Sequence, residues 1–275
     1  QKLTDYVPMM PQVTKVTPEL IKISKLILNT RHVNCVEGNT TLYALPKPEV
    51  VLRWREQTTD DFRFCFKFPA HFASGSITAF DDLVTEFLTR MSPLAPRIGQ
   101  YWLQLPAHSA TELPALWHFL DSLPGEFNYG VEVRHPQFFA KGEEEQTLNR
   151  GLHQRGVNRV ILDSRPVHAA RPHSEAIREL NEKNKVPVHA VLTATNPLIR
   201  FIGSDDMTQN RELFQVWLQK LAQWHQTTTP YLFYIRQILP RPRNWYIPCG
   251  KTYVKRFQRS EQFRLFHSNL LFSEF

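Results

Sequence analysis

The chain has 275 residues, of which 42% are hydrophobic and 12% aromatic, enough to fill a sizeable core. Its three cysteines are too few and too scattered for a disulfide framework or a paired-cysteine zinc site, so we expect a reducing, cytoplasmic environment. No apolar run approaches the roughly 20 residues of a membrane span, and the first residues lack the pattern of a secretory signal. We therefore expect no membrane association.

The formal net charge of +7 is concentrated at the two ends of the chain. Residues 1–32 carry a net charge of +3 and residues 236–275 a net charge of +6; against the total of +7, these leave −2 for the residues between them. A nucleic-acid footprint is expected to be a basic patch on the folded surface. Nucleic acid is therefore a possible partner only if the two basic ends contribute to such a patch.

Short β-rich runs alternate with amphipathic helical patterns along the chain. Leucine, valine and phenylalanine fall on one stripe of the predicted helix Asp81–Met91. Gly156 follows the predicted helix Glu143–Arg155 in the usual C-terminal position for glycine. A threonine cap is expected at the start of the predicted helix Thr111–Leu120. In chain order the patterns predict strand Val33–Glu37, helix Lys47–Gln57, strand Phe62–Phe68, helix Asp81–Met91, strand Gly99–Leu105, helix Thr111–Leu120, strand Tyr129–Arg134, helix Glu143–Arg155, strand Asn158–Leu162, strand Leu198–Ile202, helix Arg211–Trp224 and strand Tyr231–Ile235.

This alternation predicts an α/β protein with a parallel sheet. Seven strands are visible, and an eighth is expected at Asp5–Met10, followed by a helix at Pro18–Leu28. We expect a single domain over residues 1–275, closed into a (β/α)8 TIM-type barrel whose core spans residues 33–233. An open doubly wound sheet is the alternative, although no G-x-G-x-x-G follows any strand.

Polar side chains follow nearly every predicted strand, where α/β barrels place their functional groups. Candidate catalytic residues are Glu37, Glu132, His135 and Asp163. Candidate substrate-binding residues are Asn39, Thr41, Tyr43, Lys67, Gln104, Arg134 and Arg200.

Two interpretations of these residues stay open. Glu37 and Glu132 could form structural ion pairs with Lys67, Arg134 or Arg200. Alternatively, because buried charges are costly unless paired or used, the set forms a functional site. The carboxylates, with His135 and Asp163, could then serve as general acid and base or hold a divalent metal. The lysine and arginines could bind a phosphate or carboxylate.

Histidines and aromatic residues outside this set have simpler interpretations. No zinc-binding motif is present, and His168, His173 and His189 are interpreted as exposed loop residues. Trp217 and Trp224, seven residues apart on a predicted helix, are expected in the core, whereas Trp54 is ambiguous. Single-strand binding through Trp245, Tyr246 and the basic residues around them is a further alternative.

Three segments resemble the signature of the YecE-like family, the domain of unknown function seventy-two. Val33–Lys67, reading VNCVEGNTTLYALPKPEVVLRWREQTTDDFRFCFK, is similar to its V-E-x-N-x-T-F/L-Y run and the helix and strand that follow. Gly130–Phe139, reading GVEVRHPQFF, resembles its E-x-R-H segment, and Arg200–Gly203 its R-x-x-G segment. The resemblance implies a TIM barrel without an established activity, for which structural analogy has suggested a link to endonuclease-like barrels.

The resemblance implies almost the same site residues as the strand-end pattern and covers about residues 33–233. Residues 1–32 lack the family's opening I-G-x-x-x-W segment, and the chain beyond Phe233 departs from its final helix. Our leading hypothesis is an enzyme of hydrolase or lyase type that binds a small anionic or phosphorylated molecule. The alternatives are a nucleic-acid-binding or endonuclease-like barrel and a non-catalytic scaffold.

Overall fold

A computed structural model describes most of the chain, namely residues 35–42, 44–69, 82–105, 110–169, 185–204, 206–236 and 252–256. The predicted strand Asp5–Met10 and the predicted helix Pro18–Leu28 lie outside these ranges. So do His173, Trp245 and Tyr246. Within these ranges no helix combines the length and apolar character needed to cross a membrane.

Nine strands and six α-helices lie in the described ranges. The strands are β1 (Cys35–Gly38), β2 (Arg63–Lys67), β3 (Ile98–Leu105), β4 (Tyr129–Val133), β5 (Asn158–Arg159), β6 (Ile161–Asp163), β7 (Leu198–Gly203), β8 (Tyr231–Arg236) and β9 (Thr252–Arg256). The α-helices are α1 (Pro48–Glu56), α2 (Asp82–Met91), α3 (Leu113–Ser122), α4 (Glu143–Gln154), α5 (Arg165–Ala169) and α6 (Met207–Trp224). Short 3-10 turns cover Thr40–Leu42, Ser92–Arg97, Ala110–Glu112 and Pro136–Phe139.

The strands form two sheets that share one extended run of chain. The first sheet has the order β1-β2-β3-β4-β5 with every pair parallel, and the second has the order β6-β7-β8-β9. In the second sheet β6, β7 and β8 are parallel, whereas β9 runs antiparallel to β8. The α/β class and the parallel sheets are confirmed. Although β1 lies near β9, the described strands pair as two sheets rather than as a closed barrel.

The predicted strand Asn158–Leu162 takes part in two ladders, and the second of them extends to Asp163. Asn158 and Arg159 pair with β4, whereas residues 161–163 pair with β7. Between them the Val160 N–H donates to the Val131 carbonyl at 2.9 Å. The extended run therefore changes partners at Val160 and holds the two sheets side by side.

The core is divided by the alternation of side chains along the strands. On the outer faces Val36, Phe66 and Val131 belong to the cluster that packs under the helices beside the first sheet. Phe201 and Trp217 belong to the corresponding cluster under α6. On the inner faces a third cluster joins both sheets and comprises Cys35, Cys65, Trp102, Val160, Leu198, Tyr231 and Phe233. The inner faces of the two sheets therefore share one interior, and this interior positions the site.

Helix α3 begins differently from the prediction. Thr111 lies in the 3-10 turn before it, and Glu112 stands at the N-cap without a side-chain cap hydrogen bond. The predicted threonine cap is wrong because the extra turn moves the helix start to Leu113. By contrast, Gly156 follows α4 with φ +61°, the left-handed conformation that glycine adopts without strain.

Candidate functional site

The inner faces of four strands bring five charged side chains together. Glu37 on β1, Lys67 on β2, Glu132 on β4 and Arg200 on β7 share the inward direction of the alternation. Arg134 follows Glu132 directly after β4. Lys67 ends its strand and Glu37 precedes the last residue of β1, so the cluster lies toward the carboxyl ends of parallel strands. We call these five residues the charged cluster.

Arg200 is the centre of the charged cluster and crosses from the second sheet to the first. Its Nε and Nη2 donate to Glu37 Oε2 and Oε1 at 2.9 and 3.1 Å, a bidentate pair. Its Nη1 donates to Glu132 Oε2 at 2.8 Å. The other oxygen of Glu132 accepts from Arg134 Nε at 2.9 Å, and Lys67 Nζ lies 3.5 Å from Glu37 Oε1. All four carboxylate oxygens therefore face a cation.

The cluster is buried and carries one positive charge in excess. The side chains of Glu37 and Glu132 are 0% exposed, and those of Lys67 and Arg200 are 7% and 8% exposed. Arg134 is the outermost member, with 15% of its side chain exposed. Three cations against two carboxylates leave a net charge of +1 when all five groups are ionised. Desolvating such a set is costly, and a buried ion pair is seldom the most stabilising choice for a core.

Both carboxylates are held ionised by their neighbours. Burial alone would raise the pKa of Glu132, but the charges of Arg200, Arg134 and Lys67 outweigh it and lower the pKa to about 2. Burial would likewise raise the pKa of Glu37, but the charges of Arg200 and Lys67 outweigh it and lower the pKa. For Arg200, burial would lower the pKa but the two carboxylates raise it. Neither glutamate is therefore poised to donate a proton near neutral pH.

Lys67 differs from its neighbours because it titrates near neutrality. Burial and the charge of Arg200 lower its pKa to about 8, although Glu37 and Glu132 act in the opposite direction. Its Nζ lies 4.7 Å from the centroid of the Trp102 ring, and the Arg200 guanidinium lies 4.9 Å from the same ring. Two cations thus share one indole. Of the five cluster members, Lys67 is the one whose charge can change under mild conditions.

Trp102 is the site residue that the sequence analysis missed. It is fully buried, and its Nε1–H finds no hydrogen-bond acceptor among the residues that the structure describes. A buried unpaired donor of this kind often marks the place of a water or a ligand. The available signal was the period of two along the predicted strand, because Trp102 stands two residues before Gln104 and so shares its face.

The residues after β1 have two different roles. The hydroxyl of Thr41 donates to the Lys67 carbonyl at 2.7 Å, which ties the 3-10 turn after β1 to the end of β2. Its hydroxyl is therefore engaged with backbone. Asn39 keeps its Oδ1 buried without a hydrogen-bond partner among the described residues. Tyr43, the third candidate in this segment, lies outside them.

Three further candidates lie beside or outside the charged cluster. Gln104 is half-buried next to Glu132 in the parallel register of β3 and β4. His135 caps the Pro136–Phe139 turn, where its Nδ1 accepts the Gln137 N–H at 3.4 Å. The structure does not bring Asp163 into the cluster.

Asp163 lies on the opposite face of β6 and has a complete set of partners. Its carboxylate accepts from the Arg165 side chain at 2.9 and 2.7 Å and from the Trp217 indole N–H at 2.7 Å. The period-two pattern places the neighbouring Leu162, not Asp163, on the face that carries Arg200. Asp163 therefore anchors α5 and α6 to the strand instead of sharing the interior with the two glutamates.

Several predictions about other residues can now be checked. Trp217 and Trp224 are buried in the core, as predicted, and Trp54 also lies there, stacked on Phe66 with ring centroids 5.5 Å apart. The interpretation of His189 as an exposed loop residue is wrong. Its Nδ1 lies 2.6 Å from Glu145 Oε1, and 13% of its side chain is exposed. The same interpretation of His168 is also wrong, because His168 is half-buried in the short helix α5 with its Nε2 3.1 Å from Ser164 Oγ.

The chemistry of the charged cluster favours an anion over a metal ion. The carboxylate oxygens that could bind a cation already face Arg200, Arg134 or Lys67. Across the described ranges, no group of three or more His, Cys, Asp or Glu side chains is placed to hold a metal. The excess positive charge and the planar guanidinium of Arg134 are instead suited to carboxylate or phosphate groups.

Comparison with known proteins identifies the family. Residues 16–238 match the model of the protein family of unknown function DUF72. The chain is 86% identical over 214 residues to UPF0759 protein YecE of Escherichia coli K12. These 214 residues cover 77% of this chain and 79% of that protein. The protein of the same name in Escherichia coli O157:H7 gives the same values.

Two solved structures share the fold at low sequence identity. A DUF72 family protein from Enterococcus faecalis V583 superposes with a TM-score of 0.58 at 17% identity, covering 78% of this chain and 86% of that one. A DUF72 family protein from Thermotoga maritima superposes with a TM-score of 0.57 at 16% identity, covering 80% and 82%. The sequence motifs, the family model and the close relatives agree that this chain belongs to the DUF72 family.

Proposed function

We propose that this protein is a (β/α)8-barrel of enzyme type and that its charged cluster binds a small molecule carrying a carboxylate or phosphate group. The single observation that carries the proposal is the convergence of four buried charges from four strands with the half-buried Arg134 beside them, which leaves one positive charge in excess. A purely structural network of these five residues has no need for the excess charge. A bound anion would neutralise it.

The barrel arrangement is supported by contacts that cross between the sheets. Arg200 of the second sheet reaches Glu37 at one end of the first sheet and Glu132 near its other end. One interior cluster contains residues of both sheets, and β1 lies near β9. In such a barrel, the carboxyl ends of the strands form the mouth at which substrates bind.

Roles within the cluster follow from its geometry. Arg134 is the outermost cation, which makes it the first contact for an entering anion. Arg200 is committed to both glutamates and serves to hold them in place. Glu37 and Glu132 are ionised, so they keep the cations aligned and set the net charge. Asn39 and Trp102 carry polar atoms that have no hydrogen-bond partner in the described part of the chain and that a ligand could satisfy.

Thermal unfolding with a panel of anions tests the proposal. The panel contains acetate, pyruvate, inorganic phosphate and glycerol phosphate, each at millimolar concentration. We expect at least one of them to raise the Tm of the wild type, because a ligand that binds only the folded state stabilises it. The same anion should raise the Tm less in Arg134→Met.

A matched control is Arg155→Met. Arg155 also pairs with a carboxylate, Asp121, and lies over an indole, Trp117, and neither of these partners belongs to the charged cluster. Its response to the anion should equal that of the wild type. If no anion raises the Tm, or if Arg134→Met and Arg155→Met respond alike, the proposed site is wrong. Binding of a DNA oligonucleotide that weakens steeply with salt would favour the nucleic-acid alternative instead.

A further inference from the structure

Lys67 is held in a setting that favours its neutral amine. Its side chain is 7% exposed, and Arg200 shares the Trp102 ring with it at nearly equal distance. Glu37, its nearest carboxylate, is already bound in bidentate fashion by Arg200 at 2.9 and 3.1 Å. The 3.5 Å contact to Lys67 is the longest ion pair in the cluster. Lys67 is thus desolvated and next to a fixed cation while its counter-charge is shared.

These are the two conditions that activate a lysine as a nucleophile. With its pKa lowered to about 8, roughly a tenth of Lys67 is neutral at pH 7. An ordinary exposed lysine, with a pKa near 10.4, has a neutral fraction of less than about a thousandth at that pH. Binding of an anion uses only the positive charge of Lys67, whereas the neutral amine of Lys67 is also able to form a covalent bond.

We propose that Lys67 is a covalent site for the carbonyl group of an anionic aldehyde or ketone, with which its Nζ forms an imine. The inference rests on the proposed function, because the charged cluster supplies the attraction for the substrate's carboxylate or phosphate. It adds the substrate class, a carbonyl compound that also carries a negative charge.

The step balances without an outside oxidant or reductant. The neutral Nζ attacks the carbonyl carbon, forming the C–N bond while the carbonyl π electrons move to oxygen. Loss of this oxygen as water gives the protonated imine. Overall the ammonium group gives up two protons, both of which leave in the water, and hydrolysis reverses the step.

Neighbouring residues suit both sides of this equilibrium. The iminium product keeps the single positive charge of the ammonium it replaces, so the contact with Glu37 remains favourable. The Trp102 ring, which faces the Lys67 amine, stabilises either cation through its π-system. Arg134, the outermost cation, would bind the substrate's anionic group while the carbonyl reaches Lys67.

Borohydride trapping of the full chain tests the inference. The protein is incubated with pyruvate or dihydroxyacetone phosphate, reduced with sodium borohydride and examined by intact mass and peptide mapping. We expect one adduct per chain, located on Lys67 and at least about tenfold more abundant there than on the exposed Lys47 and Lys185. Labelling should be stronger at pH 8 than at pH 6, and Lys67→Arg should lose it.

The outcomes separate this inference from the proposed function. If an anion raises the Tm but neither pyruvate nor dihydroxyacetone phosphate gives an adduct on Lys67, the imine site is overturned and the anion site stands. Equal labelling of Lys67 and the two exposed lysines also overturns it. If neither stabilisation nor trapping is found, both proposals fail. The wild-type peptide map locates the adduct by itself, so the test stands even if Lys67→Arg does not fold.

Discussion

At the scale of single residues, the two buried glutamates show how strongly neighbours determine ionisation. Glu132 is 0% exposed, and burial alone would raise its pKa, yet Arg200, Arg134 and Lys67 lower the pKa to about 2. Burial and, after it, the charge of Arg200 lower the pKa of Lys67 to about 8. Each member of the charged cluster is therefore defined by the others, and removing one changes the state of the rest.

Replacing Glu132 with glutamine should strongly destabilise the fold. Glu132→Gln keeps the size of the side chain but leaves two buried cations and the half-buried Arg134 around one carboxylate, so we expect the free energy of unfolding to fall by about 3 kcal/mol. Urea denaturation at pH 7 measures the change. The control Asp121→Asn removes the carboxylate of a surface pair in which Asp121 is 57% exposed and should cost less than about 1 kcal/mol.

The cost of Glu132→Gln should also depend on pH. Because the folded-state pKa of Glu132 lies below its unfolded value of about 4.3, its stabilising effect is complete above about pH 4.3. That effect is lost as the pH falls toward about 2, so the difference between wild type and variant should shrink over this interval. A difference that stays constant from pH 6 to pH 3 would show that the carboxylate is not held by its cations.

Lys67 should show a pH dependence in the same direction on the alkaline side, because its pKa is also lowered in the folded protein. Between pH 8 and about pH 10.4 the unfolded chain keeps a proton on Lys67 that the folded protein has lost. Stability therefore rises with pH in this interval relative to Lys67→Met, which has no titrating group at this position. Urea denaturation of both proteins at pH 7, 8, 9 and 10 measures the difference. An unchanging or falling difference contradicts the lowered pKa.

At the scale of elements, most strands and helices could be predicted from the period of their apolar residues. The strand 63–67 and the helix 143–154 differ from their predicted bounds by one residue at one or both ends. What the pattern could not show is which strand pairs with which, since that depends on tertiary packing. The change of partners at Val160 is an example, because the sequence pattern predicts one continuous strand over Asn158–Leu162.

The segment between β6 and β7 shows the same limit, because its anchors are polar contacts without a period. His189 pairs with Glu145 on α4. The hydroxyl of Thr193 donates to the Val157 carbonyl at 2.7 Å and accepts the Arg159 N–H at 2.7 Å. The hydroxyl of Thr193 thus forms hydrogen bonds beside β5 in the place of a neighbouring strand. No apolar period or motif around Thr193 in the sequence predicts this role.

Replacing Thr193 with valine should therefore weaken the connection between the two sheets. Thr193→Val keeps the shape of the side chain but leaves a buried N–H and a buried carbonyl without partners, so we expect a loss of about 1–3 kcal/mol in unfolding free energy. Thr195→Val is the matched control. Thr195 is exposed, its hydroxyl contacts only the adjacent Asn196 among the described residues, and its replacement should cost no more than about 0.5 kcal/mol. Equal losses in the two variants would contradict the anchoring role.

At the scale of the whole molecule, the strand-end pattern located the charged cluster but not its internal pairing. Five of the predicted site residues meet because they occupy inward positions near the ends of parallel strands. Asp163 does not join them, since one position along a strand reverses the face on which a side chain lies. Trp102 went unnoticed because an apolar ring in a strand is ordinarily a core residue. The cluster contains the ion pairs expected of a structural network and also the excess charge expected of an anion site.

Proton uptake on anion binding is the most direct measure of whether an anion occupies the charged cluster. Isothermal titration calorimetry with acetate and sulfate at pH 8, in buffers of different ionisation enthalpy, reports protons taken up per anion bound; neither anion titrates near this pH or forms an imine. An anion beside Lys67 raises its pKa, so we predict uptake of a fraction of a proton in the wild type and none in Lys67→Met. Binding without uptake, or equal uptake in both proteins, would place the anion away from the cluster and contradict the proposed site.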